Sequence, residues 1–221
     1  MSNKSSFQQL NPNYVLRDYF EALANKWDNL QPTNRPEILR RLLFPFNPLL
    51  VKGHSILEIG TGTGTLLPLL RESSPQARLV AIDLAHSMAI YAQKKEGSAL
   101  VVQADVHQLP FLRGHSPNGL RNNKTIDFII CHNSFPHFVD KQNALKEMNR
   151  ILAPGGFLLI LHEFNRDKVN TIHKDAGPPI EKHILPTVEE TFKLLTLGGF
   201  TDVEVEDADT HYFAKGRSNG L

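Results

Sequence analysis

The sequence predicts an α/β fold, an open and mostly parallel sheet with helices on both faces. Three observations carry this expectation. Runs such as SILEIG, RLVAID, IDFIICH and FLLILHEF are apolar throughout rather than alternating, as in strands covered on both sides. Stretches of helical spacing lie between them, and an alternating strand–helix series builds a parallel sheet through right-handed crossovers. The first run also ends in a glycine-rich turn, GTGTG, at the carboxyl end of a strand, where open sheets bind ligands.

In chain order, residues 1–13 are polar and expected to be loose. YVLRDYFEALANKWDNL places Val15, Tyr19, Leu23, Trp27 and Leu30 near helical spacing, which predicts an amphipathic helix over 14–30. NRPEILRRLL predicts a second, with Asn34 as N-cap and Pro36 in its first turn. FPFNPLLVKG then breaks regularity. Strands are expected at 55–60, 78–83, 99–105, 126–132 and 157–164, with helices over 65–72, 86–96, 141–152 and 187–197. DVEVED and HYFAKG, split by a short turn, would close the sheet as a hairpin. Two connections are long. Residues 113–124 read as a solvated surface insertion, and 165–186 as a lid or substrate loop leaving the fifth strand.

The 221 residues suit one domain over 1–221, with residues 1–50 as a helical cap. A formal charge of +1 with scattered Lys and Arg gives no electrostatic footprint for nucleic acid or an anionic membrane. One cysteine, Cys131, precludes an internal disulfide and suits a reducing compartment. The first residues lack an apolar h-region, and no run of about eighteen apolar residues occurs, so a cytoplasmic protein without a membrane span is expected. Oligomeric state leaves no mark.

The glycine turn narrows the ligand. A dinucleotide fingerprint needs glycine at its first, third and sixth positions, but counting from Gly60 reaches Thr65 and counting from Gly62 reaches Leu67. A phosphate-binding loop would need a lysine that is absent, and Glu58 just before the turn suits a positively charged ligand instead. EIGTGTG at 58–64, AIDLAHSM at 81–88, QADVHQLPF at 103–111, FIICHNSFPHF at 128–138 and ALKEMNRILAPGGFLLI at 144–160 follow in order, each near a strand end. YFEALANKWD and GGFTDVEVED extend the match toward both termini. The chain thereby resembles the class I S-adenosylmethionine-dependent methyltransferases of small-molecule type. The resemblance implies a Rossmann-like three-layer sandwich with seven strands, the last antiparallel, and S-adenosylmethionine as methyl donor. It places Gly60, Thr61, Gly62 and Gly64 beneath the methionine part, with Glu58 in its polar surroundings. Asp83 would accept from the ribose hydroxyls, Leu84 and Met88 would pack on the adenine, and Asp105 beside Val106 would accept from its amino group. Capping or turn formation is the competing role for Asp83 and Asp105.

The sequence holds ten histidines. Methyl transfer is an in-line displacement helped by alignment and, for a protic acceptor, by a base, and imidazole titrates in the right range. His162, His137 and His183 are the candidates for acceptor chemistry, with Glu163 orienting a histidine and His132 contacting the cofactor. His173 reads as an exposed loop residue. His54, His86, His107, His115 and His211 read as surface or capping residues. No spacing matches a compact metal motif such as H-E-x-x-H, so no metal is expected. NSFPHF is not an Asn-Pro-Pro-aromatic motif, which disfavours adenine, cytosine or glutamine-amide acceptors. The expected partner is a small-molecule acceptor. The alternatives are a protein or RNA methyltransferase and a non-catalytic S-adenosylmethionine-binding regulator.

Overall fold

The computed structural model describes residues 11–52, 55–113 and 125–219. The insertion expected at 113–124 lies almost wholly outside the described residues, as do residues 1–10, His54 and His115.

Strands β1 (Ser55–Ile59), β2 (Arg78–Asp83), β3 (Leu100–Gln103), β4 (Ile126–His132), β5 (Leu152–His162), β6 (Phe200–Ala208) and β7 (His211–Ser218) form one sheet in the order β3-β2-β1-β4-β5-β7-β6. The first five run parallel, and β7 pairs antiparallel with both β5 and β6. The reversal from β1 to β4 puts a crevice at the carboxyl ends of these strands.

Two apolar layers sandwich the sheet. On one face Leu57, Val80, Ile129 and Ile160 pack with Leu145 and Met148 of α6 (Lys141–Ile151) and Leu195 of α8 (Val188–Leu197). On the other, Ile56, Leu79, Phe128 and Leu159 pack with Leu39 and Leu43 of α2 (Arg35–Leu43), Leu50 of α3 (Asn47–Leu50) and Leu70 of α4 (Leu67–Ser73). Adjacent residues of one strand thus enter different cores, which is why those runs are uniformly apolar.

The amino-terminal segment is α1 (Pro12–Leu23) followed by two 3-10 turns reaching Leu30, shorter than the single helix expected. It docks through Glu21, whose carboxylate accepts from the amides of His86 (2.6 Å) and Ser87 (2.9 Å). These belong to the first turn of α5 (His86–Lys95), which has no side-chain cap of its own, so Glu21 satisfies donors that would otherwise be orphaned.

The expected loop over 165–186 is corrected in its first half. Residues Arg166–Ala176 form helix α7, capped by the Asn165 side chain on Lys168 N and ended by Gly177 at φ +72°. Asp167 in its first turn and Lys174 in its last complement the helix dipole. α7 buries Val169 and His173, so His173 is a buried helical residue and not an exposed loop residue.

Candidate active site

The ends of β1, β2 and β4 and the segment after β3 open on a pocket roofed by Asn13, Leu16, Phe20 and Trp27 from the amino-terminal segment. Its floor is the turn after β1. Gly60, Gly62 and Gly64 have φ of +72°, +55° and +80°, a region that side chains with a Cβ rarely adopt. The turn is fastened to β2. The amides of Gly60 and Thr61 donate to the Ile82 carbonyl at 2.9 and 3.0 Å, and that of Gly62 to Asp83 Oδ2 at 2.8 Å.

Glu58 lies beneath the turn, 1% exposed, and accepts from Thr61 Oγ1 at 2.7 Å. Burial pushes its carboxyl up to about 8, so it is largely neutral at pH 7. It does not line the pocket. Its part is to brace the turn, and the negative charge expected of it from the sequence is not delivered there.

Asp83, at the end of β2, faces the pocket. Besides Gly62 it takes the Ala85 amide at 2.9 Å on Oδ1, so it forms the turn and lines the site at once. Burial raises its carboxyl to about 6. Leu84 and Met88 lie beside it. Across the pocket Asp105 accepts from the His107 amide (2.9 Å), His107 Nδ1 (2.6 Å) and Asn13 Nδ2 (2.7 Å). The His107 side-chain hydrogen bond holds it below the usual carboxylate range against partial burial. Because His107 Nδ1 donates, Nε2 is free to accept from the Asp140 amide at 3.1 Å. His107 thereby lines the pocket beside Val106, a correction to the surface role expected for it. Asn13 occupies one lone pair of the carboxylate, so α1 is tied directly into the site.

The wall at the ends of β4 and β5 is a buried ionic network. Glu163 Oε1 accepts from Arg35 Nε (2.6 Å), His132 Nε2 (2.8 Å) and Asn133 Nδ2 (3.2 Å). Burial opposes its charge, yet His132 and Arg35 hold its carboxyl below the ordinary value. His132 is held neutral chiefly by burial, and so donates through Nε2. Arg35, His132 and Asn133 line the pocket, whereas Glu163 stands behind them. Asn133 sits at φ +53°, strain of the sort that collects at functional sites. Ser134 Oγ donates to the Ile59 carbonyl at 2.7 Å and locks this wall to the floor.

Of the histidines named for acceptor chemistry, only His137 lines the pocket. His162 is 1% exposed, edge-on to Tyr212 at 6.0 Å, and its Nε2 has no partner. Burial, reinforced by His132 and His173, pushes His162 down to about 3. Unfolded chains bind this proton near pH 6.5 and the native state does not, so its stabilisation is complete above pH 6.5 and is lost as pH falls toward 3. At pH 5 this loss amounts to about 2 kcal/mol. Urea denaturation of wild type and His162→Leu at pH 8 and pH 5 checks this: the wild type should lose about 2 kcal/mol more than the variant on acidification.

Against this geometry the comparisons are specific. Residues 57–160, from β1 through β5, match the family model of a methyltransferase domain. The chain carries a class I methyltransferase domain. The methyl donor of that domain is S-adenosylmethionine. The chain is 41% identical over 110 residues to a demethylmenaquinone methyltransferase of Thermus thermophilus, covering 48% of this chain and 46% of that protein. The chain therefore spans about half the length of that relative. A ubiquinone/menaquinone biosynthesis C-methyltransferase of Syntrophotalea carbinolica is 29% identical over 183 residues, covering 80% of this chain and 72% of that one. Among solved structures, a Thermotoga maritima S-adenosylmethionine-dependent methyltransferase, described as a possible histamine N-methyltransferase, superposes with a TM-score of 0.67. It is 20% identical and covers 91% of this chain and 99% of that one. The fold is thus the expected seven-stranded Rossmann-like methyltransferase sandwich. Within the described residues of this methyltransferase domain and its flanks, no helix is long and apolar enough to cross a membrane.

Proposed function

We propose that the chain transfers the methyl group of S-adenosylmethionine to a small-molecule acceptor bound against His137. The observation that carries this is the division of one pocket into two differently furnished halves. The Gly60–Gly62 turn, Asp83, Leu84, Met88, Asp105 and Val106 present backbone amides, carboxylates and an apolar shelf, which suits an adenosine. Each oxygen of Asp83 keeps a lone pair for a ribose hydroxyl after its amide bonds are counted. Arg35 is buried on the same pocket near the turn and supplies a guanidinium for the methionine carboxylate, a role its sequence position did not suggest. Gly64 and Glu58 support the turn from behind.

The remaining wall, with Phe20, His137 and Phe138, is aromatic and carries the imidazole. Phe20 meets His137 edge to face at 5.2 Å. That furnishing suits a flat acceptor of modest size, in keeping with the quinone-pathway names of the two relatives. His162, His183 and Glu163 would act on the acceptor only through His137 or the network around it. Alignment by the walls and exclusion of water under α1 would supply much of the rate.

Turnover of S-adenosylmethionine to S-adenosylhomocysteine against a panel of quinols, phenols, thiols, amines and carboxylates tests the proposal. We expect a phenolic or quinolic acceptor to turn over, and His137→Phe to reduce its kcat/KM by about 10²- to 10³-fold, the range of one lost hydrogen-bond donor to the reacting oxygen. Tight cofactor binding with no turnover on any acceptor would favour a non-catalytic binding protein. Turnover unchanged by His137→Phe would place the acceptor on another wall.

A further inference from the structure

Behind His137, on the face of the sheet away from Arg35, a second group of side chains gathers that the cofactor half does not use. The rings of His173 and His183 lie 4.8 and 5.4 Å from that of His137. Lys141 Nζ donates to the carbonyls of Pro136 (3.0 Å) and Phe138 (3.2 Å), the two residues flanking His137, and rests 5.8 Å above the Phe135 ring. His173 Nδ1 donates to the His183 carbonyl at 2.5 Å, which joins α7 to the following loop and fixes the His173 tautomer. His137 Nδ1 is buried and has no partner, so Nε2 is the nitrogen with access to the pocket.

The charge of this cluster is one-sided. Burial keeps His137, His173 and His183 neutral, and the Lys141 ammonium lowers all three further. An imidazole so placed is a poor base, because taking a proton would set a second cation beside Lys141. It remains a good hydrogen-bond donor. A divalent metal is disfavoured by the same ammonium, and among the described residues no three His, Cys, Asp or Glu side chains are set to hold one.

We propose that this wall receives the acceptor as an anion: an acidic phenolic or enolic hydroxyl whose ionised oxygen accepts from His137 Nε2. Lys141, which does not touch the acceptor, holds the His137 turn and supplies the positive field. This rests on the methyltransferase reading and selects acceptor binding, rather than deprotonation by histidine, as the part His137 plays. The hydroxyl proton is released to water on binding. The oxygen, or the ring carbon conjugate to it, then bonds to the methyl carbon as the carbon–sulfur bond breaks. That electron pair returns to sulfur and leaves a neutral thioether. Where carbon is the nucleophile, its own hydrogen departs as a proton to restore the ring. Anion and sulfonium neutralise each other in this step, which a water-poor pocket favours.

The test is the ionisation of para-nitrophenol bound to the S-adenosylhomocysteine-loaded protein, read from its phenolate absorbance, with cofactor binding followed separately by calorimetry. We expect the bound phenol's acidity to rise by about tenfold or more. Lys141→Met should abolish the shift. His137→Gln, which still donates a hydrogen bond, should keep most of it, and His137→Phe should lose it. A phenol that fails to bind, or binds protonated, to the loaded protein overturns the proposal. So does a shift indifferent to Lys141→Met, or a stoichiometric transition metal in the purified protein that His173→Ala removes. Failure to bind S-adenosylhomocysteine at all would instead strike the methyltransferase reading beneath it.

Discussion

Asp83→Ala is expected to weaken S-adenosylmethionine binding by about two to four orders of magnitude while leaving the fold in place. The carboxylate does two things that no neighbour duplicates. It accepts from the Gly62 and Ala85 amides, which shapes the turn under the cofactor, and its remaining lone pairs face the pocket. Hydrogen bonds to a charged group contribute about 1.5–3 kcal/mol each, so losing two at the ligand removes about 3–6 kcal/mol, and each 1.4 kcal/mol is a factor of ten in affinity. Asp83→Asn retains one accepting oxygen and should fall between the two. Calorimetric titration measures both variants against wild type. A loss smaller than about threefold would mean that the ribose does not sit on Asp83.

Gly64→Ala should instead unfold the protein at a markedly lower temperature. A Cβ at Gly64 would stand 2.7 Å from Ala92 Cα and 2.9 Å from Ala92 Cβ, and the backbone there is left-handed at φ +80°. Left-handed strain of about 1–2 kcal/mol and overpacking of about 1–3 kcal/mol together give about 2–5 kcal/mol. At about 2–4 °C per kcal/mol for a chain of this size, the melting temperature should drop by about 4–20 °C. Gly62→Ala makes the contrast. The nearest atom to its Cβ is Trp27 Nε1 at 3.7 Å, across the pocket, so it meets no packed neighbour. Its thermal cost should be only the backbone strain of about 1–2 kcal/mol, whereas its cofactor affinity should fall steeply because the methyl occupies ligand space. Thermal denaturation with and without S-adenosylhomocysteine separates the two glycines: one holds the fold and the other makes room for the ligand.

These contrasts mark how far the sequence could be read. Strands β1, β2 and β4 were legible because both of their faces are buried, so apolarity alone announced them. Helix α8 was legible from its helical spacing over 187–197, and the reciprocal capping box of Thr187 and Glu190 that starts it was there in the sequence unread. Asp83 and the glycine turn were legible as candidates because each closes an apolar run, at the strand ends where open sheets bind ligands. What escaped was tertiary. Arg35 reaches Glu163 across 128 positions, and Asn13 reaches Asp105 across 92, so no local pattern carries either contact. Glu58 looked like a charge for the ligand because its burial, which neutralises it, is a property of the packed sheet. His173 was read as an exposed loop residue because the polar sequence RDKVNTIHKDA hides a short helix whose cap and dipole partners matter more than its apolar content. His162, His173 and His183 were visible singly, but only folding brings them behind His137 and sets Lys141 among them.

A crystal structure of the chain with S-adenosylhomocysteine tests this placement of donor and acceptor at one pocket. The ribose should lie on Asp83, the adenine between Met88 and Asp105, the carboxylate at Arg35 and the thioether sulfur facing His137 across open space. A ligand bound with its sulfur turned away from His137, or lodged outside the Gly60–Gly62 turn, would contradict it.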